Sequence, residues 1–167
     1  MKKLVALIAI ALGCGLLVWT SDARATDNDE AQIRDVLNRW AKAFRAHDLD
    51  GIMSMYDPGV VAYDIVPPLQ YVGATAYRKD YQQFLDQYNG PIDVEFRELH
   101  IVAGNRVAFV TALERMSGTL KNGQKSEIWV RITAGFRKIK GKWLDVHDHI
   151  SVPVDLETGK AVLDLKP

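Results

Sequence analysis

From residue 92 to residue 154 the apolar side chains of this chain recur at every second position, in four successive runs. Residues 92–102, 107–120, 126–139 and 143–154 each read as a strand, because successive side chains of a strand point to opposite faces. The breaks between them are short and rich in turn residues: Gly104-Asn105, Asn122-Gly123 and Lys140-Gly141-Lys142. Connections of that length suit tight hairpins, so the four strands form an antiparallel meander. A sheet of long strands with one apolar face needs something to cover that face.

The cover lies upstream. Ile33, Val36, Leu37, Trp40, Ala41 and Phe44 are spaced by threes and fours, one face of a helix that Asp27 or Asn28 can cap and His47-Asp48 ends. Asp50-Gly51 marks a turn. Ile52, Met53, Met55 and Tyr56 predict a short second helix, closed by Asp57-Pro58-Gly59. Residues 60–65 are β-branched and aromatic, a short strand stopped by Pro67-Pro68. Residues 73–88 predict a third helix, with Ala76, Tyr77, Tyr81, Phe84 and Leu85 inward and Asn89-Gly90-Pro91 as its end.

Helices followed by a meander give an α+β fold. Three helices and four long strands share one core most economically when a strongly curved antiparallel sheet wraps the helices as a cone-shaped barrel. Gly118 and Gly135 would permit bends in their strands. A sheet that does not close fully on its helices leaves a cavity. The chain has 167 residues, 48% of them hydrophobic and 25% charged, which suits one domain.

Residues 1–25 are a different kind of sequence. Lys2 and Lys3 precede an almost unbroken apolar run over residues 4–19, and Ala23-Arg24-Ala25 has the small-x-small pattern of a cleavage site. This reads as a secretory signal peptide, leaving a single domain over residues 26–167 that is exported to the periplasm or the extracellular space. The run is shorter than the ~20 residues of a spanning helix; retention as an uncleaved anchor is the second reading. Cys14 follows Ala11-Leu12-Gly13 loosely as in a lipoprotein box, but the apolar run continues past it, against lipidation. The mature domain then holds no cysteine, and so neither disulfide nor thiol chemistry. After removal of the leader no membrane partner is expected. Lysine plus arginine equals aspartate plus glutamate, 21 of each, which gives no basic footprint for nucleic acid.

Two places carry candidate chemistry. In residues 143–153, strict alternation puts Trp143, Asp145, His147, His149 and Ser151 on one face and Leu144, Val146, Asp148, Ile150 and Val152 on the other. The histidines suit acid/base work or polar contact with a ligand, or are half-buried sheet residues bonded to their neighbours. His147, His149 and Asp145 are also potential metal ligands, but no separate motif supplies a further one, and no metal is expected. Asp64 closes an apolar strand. Partial desolvation there would raise its pKa and make it a usable base; the alternative is an aspartate capping a turn. Tyr56 and Tyr63 read as core or pocket wall. No nucleophile motif, phosphate-binding glycine loop or dinucleotide fingerprint is present, and no cofactor is expected.

The run Val36-x-x-Arg39-Trp40-x-x-Ala43-Phe44-x-x-x-Asp48-Leu49-Asp50-Gly51-Ile52, with Tyr56 and Tyr63-Asp64 after it, resembles the opening of ketosteroid isomerase-like proteins. These belong to the nuclear transport factor two-like superfamily, which includes SnoaL-like polyketide cyclases. Arg131-x-Thr133, Phe136-Arg137-Lys138, Gly141-x-Trp143 and His147-x-His149-x-Ser151 are similar to members of unknown activity and to the association domain of calcium/calmodulin-dependent kinase. The resemblance covers nearly all of residues 30–154. It implies that Asp64 stands where ketosteroid isomerases place their general base. It also implies that Trp40 replaces their oxyanion-hole tyrosine, and that their second oxyanion donor falls near Thr133 or Ala134, neither an acid. An indole N–H can donate a hydrogen bond but is no acidic phenol. Steroid isomerisation itself is therefore not expected. Arg131, by resemblance, would anchor a carboxylate, paired in the empty protein with Asp145 or Glu127; the alternative is an outer-face ion pair of small worth.

The expectation is a cofactor-free enzyme of isomerase, cyclase or dehydratase type acting on a small oxygenated molecule in an apolar pocket. Asp64 and His147 would be its catalytic pair, and Trp40, Tyr56, Tyr63, Arg131, Asp145 and His149 would contact the ligand, apolar or carboxylate-bearing. Two alternatives stand beside it: a non-catalytic ligand-binding module, and an oligomerisation domain. A homodimer through the open face of the sheet is the expected assembly.

Overall fold

The computed structural model describes residues 27–167; the segment expected to be a signal peptide, with Cys14, lies outside the described residues. Helix α1 (Asp27–Arg45) buries Ile33, Val36, Leu37, Trp40, Ala43 and Phe44. Ala41 is only partly buried, because the helical stripe passes through Ala43 instead. Helix α2 (Leu49–Met53) is capped by Asp48, whose carboxylate accepts the Gly51 amide at 2.9 Å. Gly51 permits close approach of the two helices: a Cβ there would lie 2.8 Å from the Cβ of Ala43.

Tyr56 opens strand β1 (Tyr56–Tyr63) rather than ending α2, since the helix closes at Ser54. A two-residue strand, β2 (Tyr71–Val72), pairs with β1 and precedes α3 (Ala74–Leu85), which buries Tyr77, Tyr81 and Leu85. The meander follows as β3 (Asp93–Ala103), β4 (Val107–Thr119), β5 (Lys125–Ile139) and β6 (Lys142–Ser151).

All strands form one curled, unclosed sheet in the order β2-β1-β6-β5-β4-β3. It is mixed rather than wholly antiparallel, because β1 runs parallel to β6. The long connection between those two, through α3 and the other strands, is what a parallel neighbour requires. The inner face packs on the helices. Trp40 and Phe44 of α1 meet Tyr81 of α3 edge-on at ring-centroid distances of 6.4 and 6.1 Å, a preferred aromatic geometry. At the base of the cone, Asp29 of α1 accepts hydrogen bonds from Lys138 Nζ at 2.6 Å and Trp143 Nε1 at 3.1 Å.

One irregularity decides the site. Phe136 pairs with Asp145 but its neighbour Gly135 pairs with His147, so Val146 has no partner on β5. This β-bulge reverses the alternation of β6 from that point on. Asp145 holds it open: its Oδ1 accepts the His147 amide at 2.9 Å, while its own amide donates to the Met55 carbonyl at 2.9 Å. Gly135 lies beside the register shift. Gly118 answers a different need, since a Cβ there would sit 2.8 Å from the Tyr88 ring.

Candidate functional site

Between the inner face of the sheet and helices α1 and α3 lies a cavity of about 240 Å³, at the small end for ligand pockets. Trp40, Phe44, Tyr81, Phe84 and Phe96 supply aromatic walls, and Met116, Ile132 and Ile150 supply aliphatic ones. Ile65, Val66 and Pro67 form its mouth and are exposed. Asp64 stands beside them, and Glu114, Asp145 and Asp148 are buried deeper.

A hydrogen-bonded network joins the walls. The Tyr56 hydroxyl donates to Asp148 Oδ2 at 3.1 Å and lies 2.5 Å from the Tyr81 hydroxyl. The Tyr77 hydroxyl stands 3.2 Å from Asp148 Oδ2 and 3.3 Å from Asp64 Oδ2, so a single proton donor lies between two carboxyl groups. Asp64 also accepts from the amides of Ile65, at 2.6 Å, and Val66, at 3.4 Å. It follows the last residue of β1, caps the turn after it and lines the cavity.

The electrostatics follow from burial. Removal from water pushes the Glu114 carboxyl up to about 8, helped by repulsion from Asp148 and Asp64. Burial raises Asp148 to about 6, against the hydrogen bonds from Tyr56 and Tyr77. Asp64 is raised by burial, opposed by the Ile65 and Val66 amides and by Tyr77. Burial, then repulsion from Asp148, pushes Asp145 well above the ordinary carboxylate range. Asp145 Oδ2 and Trp40 Nε1 are buried without a hydrogen-bond partner; such atoms are uncommon and call for an explanation.

Of the residues singled out from sequence, Asp64, Trp40, Tyr56 and Asp145 line this cavity. The other four do not. The bulge at Val146 turns His147 and His149 to the outer face of the sheet, where both rings pack edge-on against Tyr63, at 4.9 and 5.7 Å. His147 Nδ1 lies 2.9 Å from the Val61 carbonyl. Arg131 pairs with Ser151 on that same outer face and is exposed. It bonds neither Asp145 nor Glu127; Glu127 is held by Arg115 and Lys166. The expected single row of Trp143, Asp145, His147 and His149 is thus divided, its first two members inward and its last two outward.

Sequence reading passed over Asp148 and Glu114, and took Tyr77 and Tyr81 as core or pocket wall rather than as reactive groups. A signal for the two acids existed. Each interrupts an apolar strand row: Asp148 between Val146 and Ile150, Glu114 between Ala112 and Met116. A carboxyl in a core-facing row is seldom buried without function or partner. The bulge also has a local mark, an aspartate two residues before the amide it captures.

Among the described residues, no group of three or more His, Cys, Asp or Glu is placed to hold a metal ion. No helix among them is long and apolar enough to cross a membrane.

The SnoaL-like domain family matches residues 33–155. No curated protein matches the chain. A solved nuclear transport factor 2-like protein of unknown function from Pseudomonas putida KT2440 is 32% identical, covers 85% of this chain and 99% of its own, and superposes with a TM-score of 0.77. A nuclear transport factor 2-like superfamily protein from Salmonella enterica serovar Typhimurium is 17% identical, covers 83% of this chain and 100% of its own, and reaches 0.70. A candidate dehydratase of the same family from Streptomyces avermitilis is 18% identical, covers 78% of this chain and 100% of its own, and reaches 0.67. The family match and the Pseudomonas relative agree with the curled sheet and its enclosed helices: the chain belongs to the SnoaL-like domain family of the nuclear transport factor 2-like superfamily.

Proposed function

We propose that the cavity carries out cofactor-free proton transfer, of isomerase, cyclase or dehydratase type, on a small oxygenated organic molecule. The observation that carries this is the Asp64–Tyr77–Asp148 relay opening onto an apolar cavity. Asp64, at the mouth and partly desolvated, is the base. Tyr77 offers the abstracted proton a path to Asp148. The Trp40 N–H, which has no partner, is a donor for an oxygen that gains charge. It stands in place of the oxyanion-hole tyrosine of ketosteroid isomerases, so a different substrate is implied. That one fold neighbour is a candidate dehydratase is consistent with this reading. His147, on the other face, takes no part.

The test is exchange of carbon-bound hydrogen in deuterated buffer, followed by NMR across a panel of small cyclic ketones. Replacing Asp64 by Asn should lower exchange by about 10²–10⁴-fold, the usual worth of a positioned base, while ketone affinity stays within about threefold. Equal exchange by both proteins would sink the proposal.

The protein is taken to act outside the cytoplasm, on the strength of its leader; the mass of the exported chain tests this. Exposed Val102, Val107 and Phe109 on the outer sheet face support a homodimer, which sedimentation tests.

A further inference from the structure

The cavity described above is lined by five acids, Asp64, Asp80, Glu114, Asp145 and Asp148, and by no lysine, arginine or histidine. Arg131, the cation that sequence placed here, is exposed on the opposite face of the sheet. Tyr56 and the Ile65 and Val66 amides donate to Asp148 and Asp64, but no positive charge in the lining balances the five acids.

Two further observations point to what is missing. Asp145, a residue of the lining, is 0% exposed, and its Oδ2 has no donor, while Oδ1 is taken by the His147 amide. The chamber walls carry Trp40, Phe44, Tyr81, Phe84 and Phe96, whose ring faces attract cations. An acid floor inside aromatic walls is complementary to a protonated amine on an apolar body. A carboxylate there would meet like charge, and a neutral alcohol would bring no positive charge to the unpartnered Asp145 Oδ2.

We infer that the ligand of this cavity is an organic cation, a protonated amine on a small apolar skeleton, with its N–H directed at Asp145 Oδ2 and Glu114. This rests on the reading of the cavity as the ligand site and names the class of molecule it takes. The upward shifts of Glu114 and Asp148 agree, since a bound cation would restore the charged carboxylate that burial disfavours. The amine would sit at the floor, leaving Asp64 at the mouth to act on the rest of the molecule.

The experiment is calorimetric titration of the protein at pH 7.5 with three probes of one shape: 3-phenylpropylamine, 3-phenylpropan-1-ol and 3-phenylpropionate. The amine should bind at least tenfold more tightly than the alcohol, and the carboxylate most weakly. Asp145→Asn and Glu114→Gln should each reduce the ratio of amine to alcohol affinity several-fold. The three probes on the unaltered protein already decide the charge preference, whatever the variants do. Alcohol equal to or tighter than amine, or tight carboxylate binding, overturns the cation and leaves the cavity as a ligand site. An amine preference untouched by both variants overturns the placement at Asp145 and Glu114. Binding of none of the three overturns both the cation and the cavity reading.

Discussion

The Tyr77 hydroxyl lies 3.2 Å from Asp148 Oδ2, joining helix α3 to strand β6 across the cavity wall. Both groups are buried, and the bond opposes the rise in carboxyl pKa that burial imposes on Asp148. Tyr77→Phe removes that opposition. The Asp148 titration, followed by carboxyl-carbon NMR, should move above its value of about 6. The change should also cost about 1–3 kcal/mol in urea unfolding, the range for stripping a buried acceptor of a donor. A midpoint unmoved or lowered would mean the bond does not form in solution.

Stability should fall as pH rises through neutrality, opposite to proteins held by salt-bridged carboxylates. Glu114 goes from 4.5 in the open chain to about 8 in the fold, and Asp148 from 3.8 to about 6. Between those limits the folded protein binds more protons than the unfolded chain, so the slope of unfolding free energy against pH is negative. The contribution is intact below about pH 4, declines from there, and is lost above about pH 8. At about 1.4 kcal/mol per tenfold change in proton affinity, the two groups amount to several kcal/mol. The urea midpoint should therefore drop between pH 5 and 8, and Glu114→Gln should flatten that drop.

Gly118 and Gly135 should respond differently to alanine. A Cβ at Gly118 meets the Tyr88 ring at 2.8 Å and the Pro91 carbonyl at 3.3 Å, whereas one at Gly135 meets its nearest atom, His147 Cβ, at 3.6 Å. Gly118→Ala should cost about 1–3 kcal/mol, as overpacking does, and Gly135→Ala should be close to neutral. Thermal melting of the two variants side by side measures this.

Asp29→Ala leaves the Trp143 N–H and the Lys138 ammonium without the carboxylate they share. The loss should be about 2–4 kcal/mol, between a buried hydrogen bond and a broken buried pair. Lys138→Met, which keeps the Trp143 bond, should cost less. Chemical unfolding of both variants gives the order.

His149→Ala should leave probe binding in the cavity within about twofold, because the ring is exposed on the far side of the sheet. A large loss would return the histidine pair to the site.

Much of this protein could be read from its residues. The three-and-four spacing of Ile33, Val36, Leu37, Trp40 and Phe44 is α1, and the period-two runs are β3 to β6, with each turn where Gly104, Asn122-Gly123 and Gly141 stand. These are local matters, settled by backbone geometry and by one face meeting a core. The two-residue β2 and the parallel seating of β1 on β6 were not legible, since both depend on where a distant strand lies.

The site separates in the same way. The sequence by itself determined that titratable residues gather along the 143–153 strand and that Asp64 follows an apolar strand. Only the tertiary structure decided which of those residues face inward. Alternation is a local rule, and one unpaired residue, Val146, reverses it for everything that follows. His147 and His149 thereby turn outward, while Asp148 and Ile150 turn in. The bulge exists because Asp145 caps the His147 amide and donates its own to Met55, a contact between segments far apart in the chain. Glu114 and Tyr77 join Asp148 for the same reason: the curled sheet and α3 bring together groups that no local period relates.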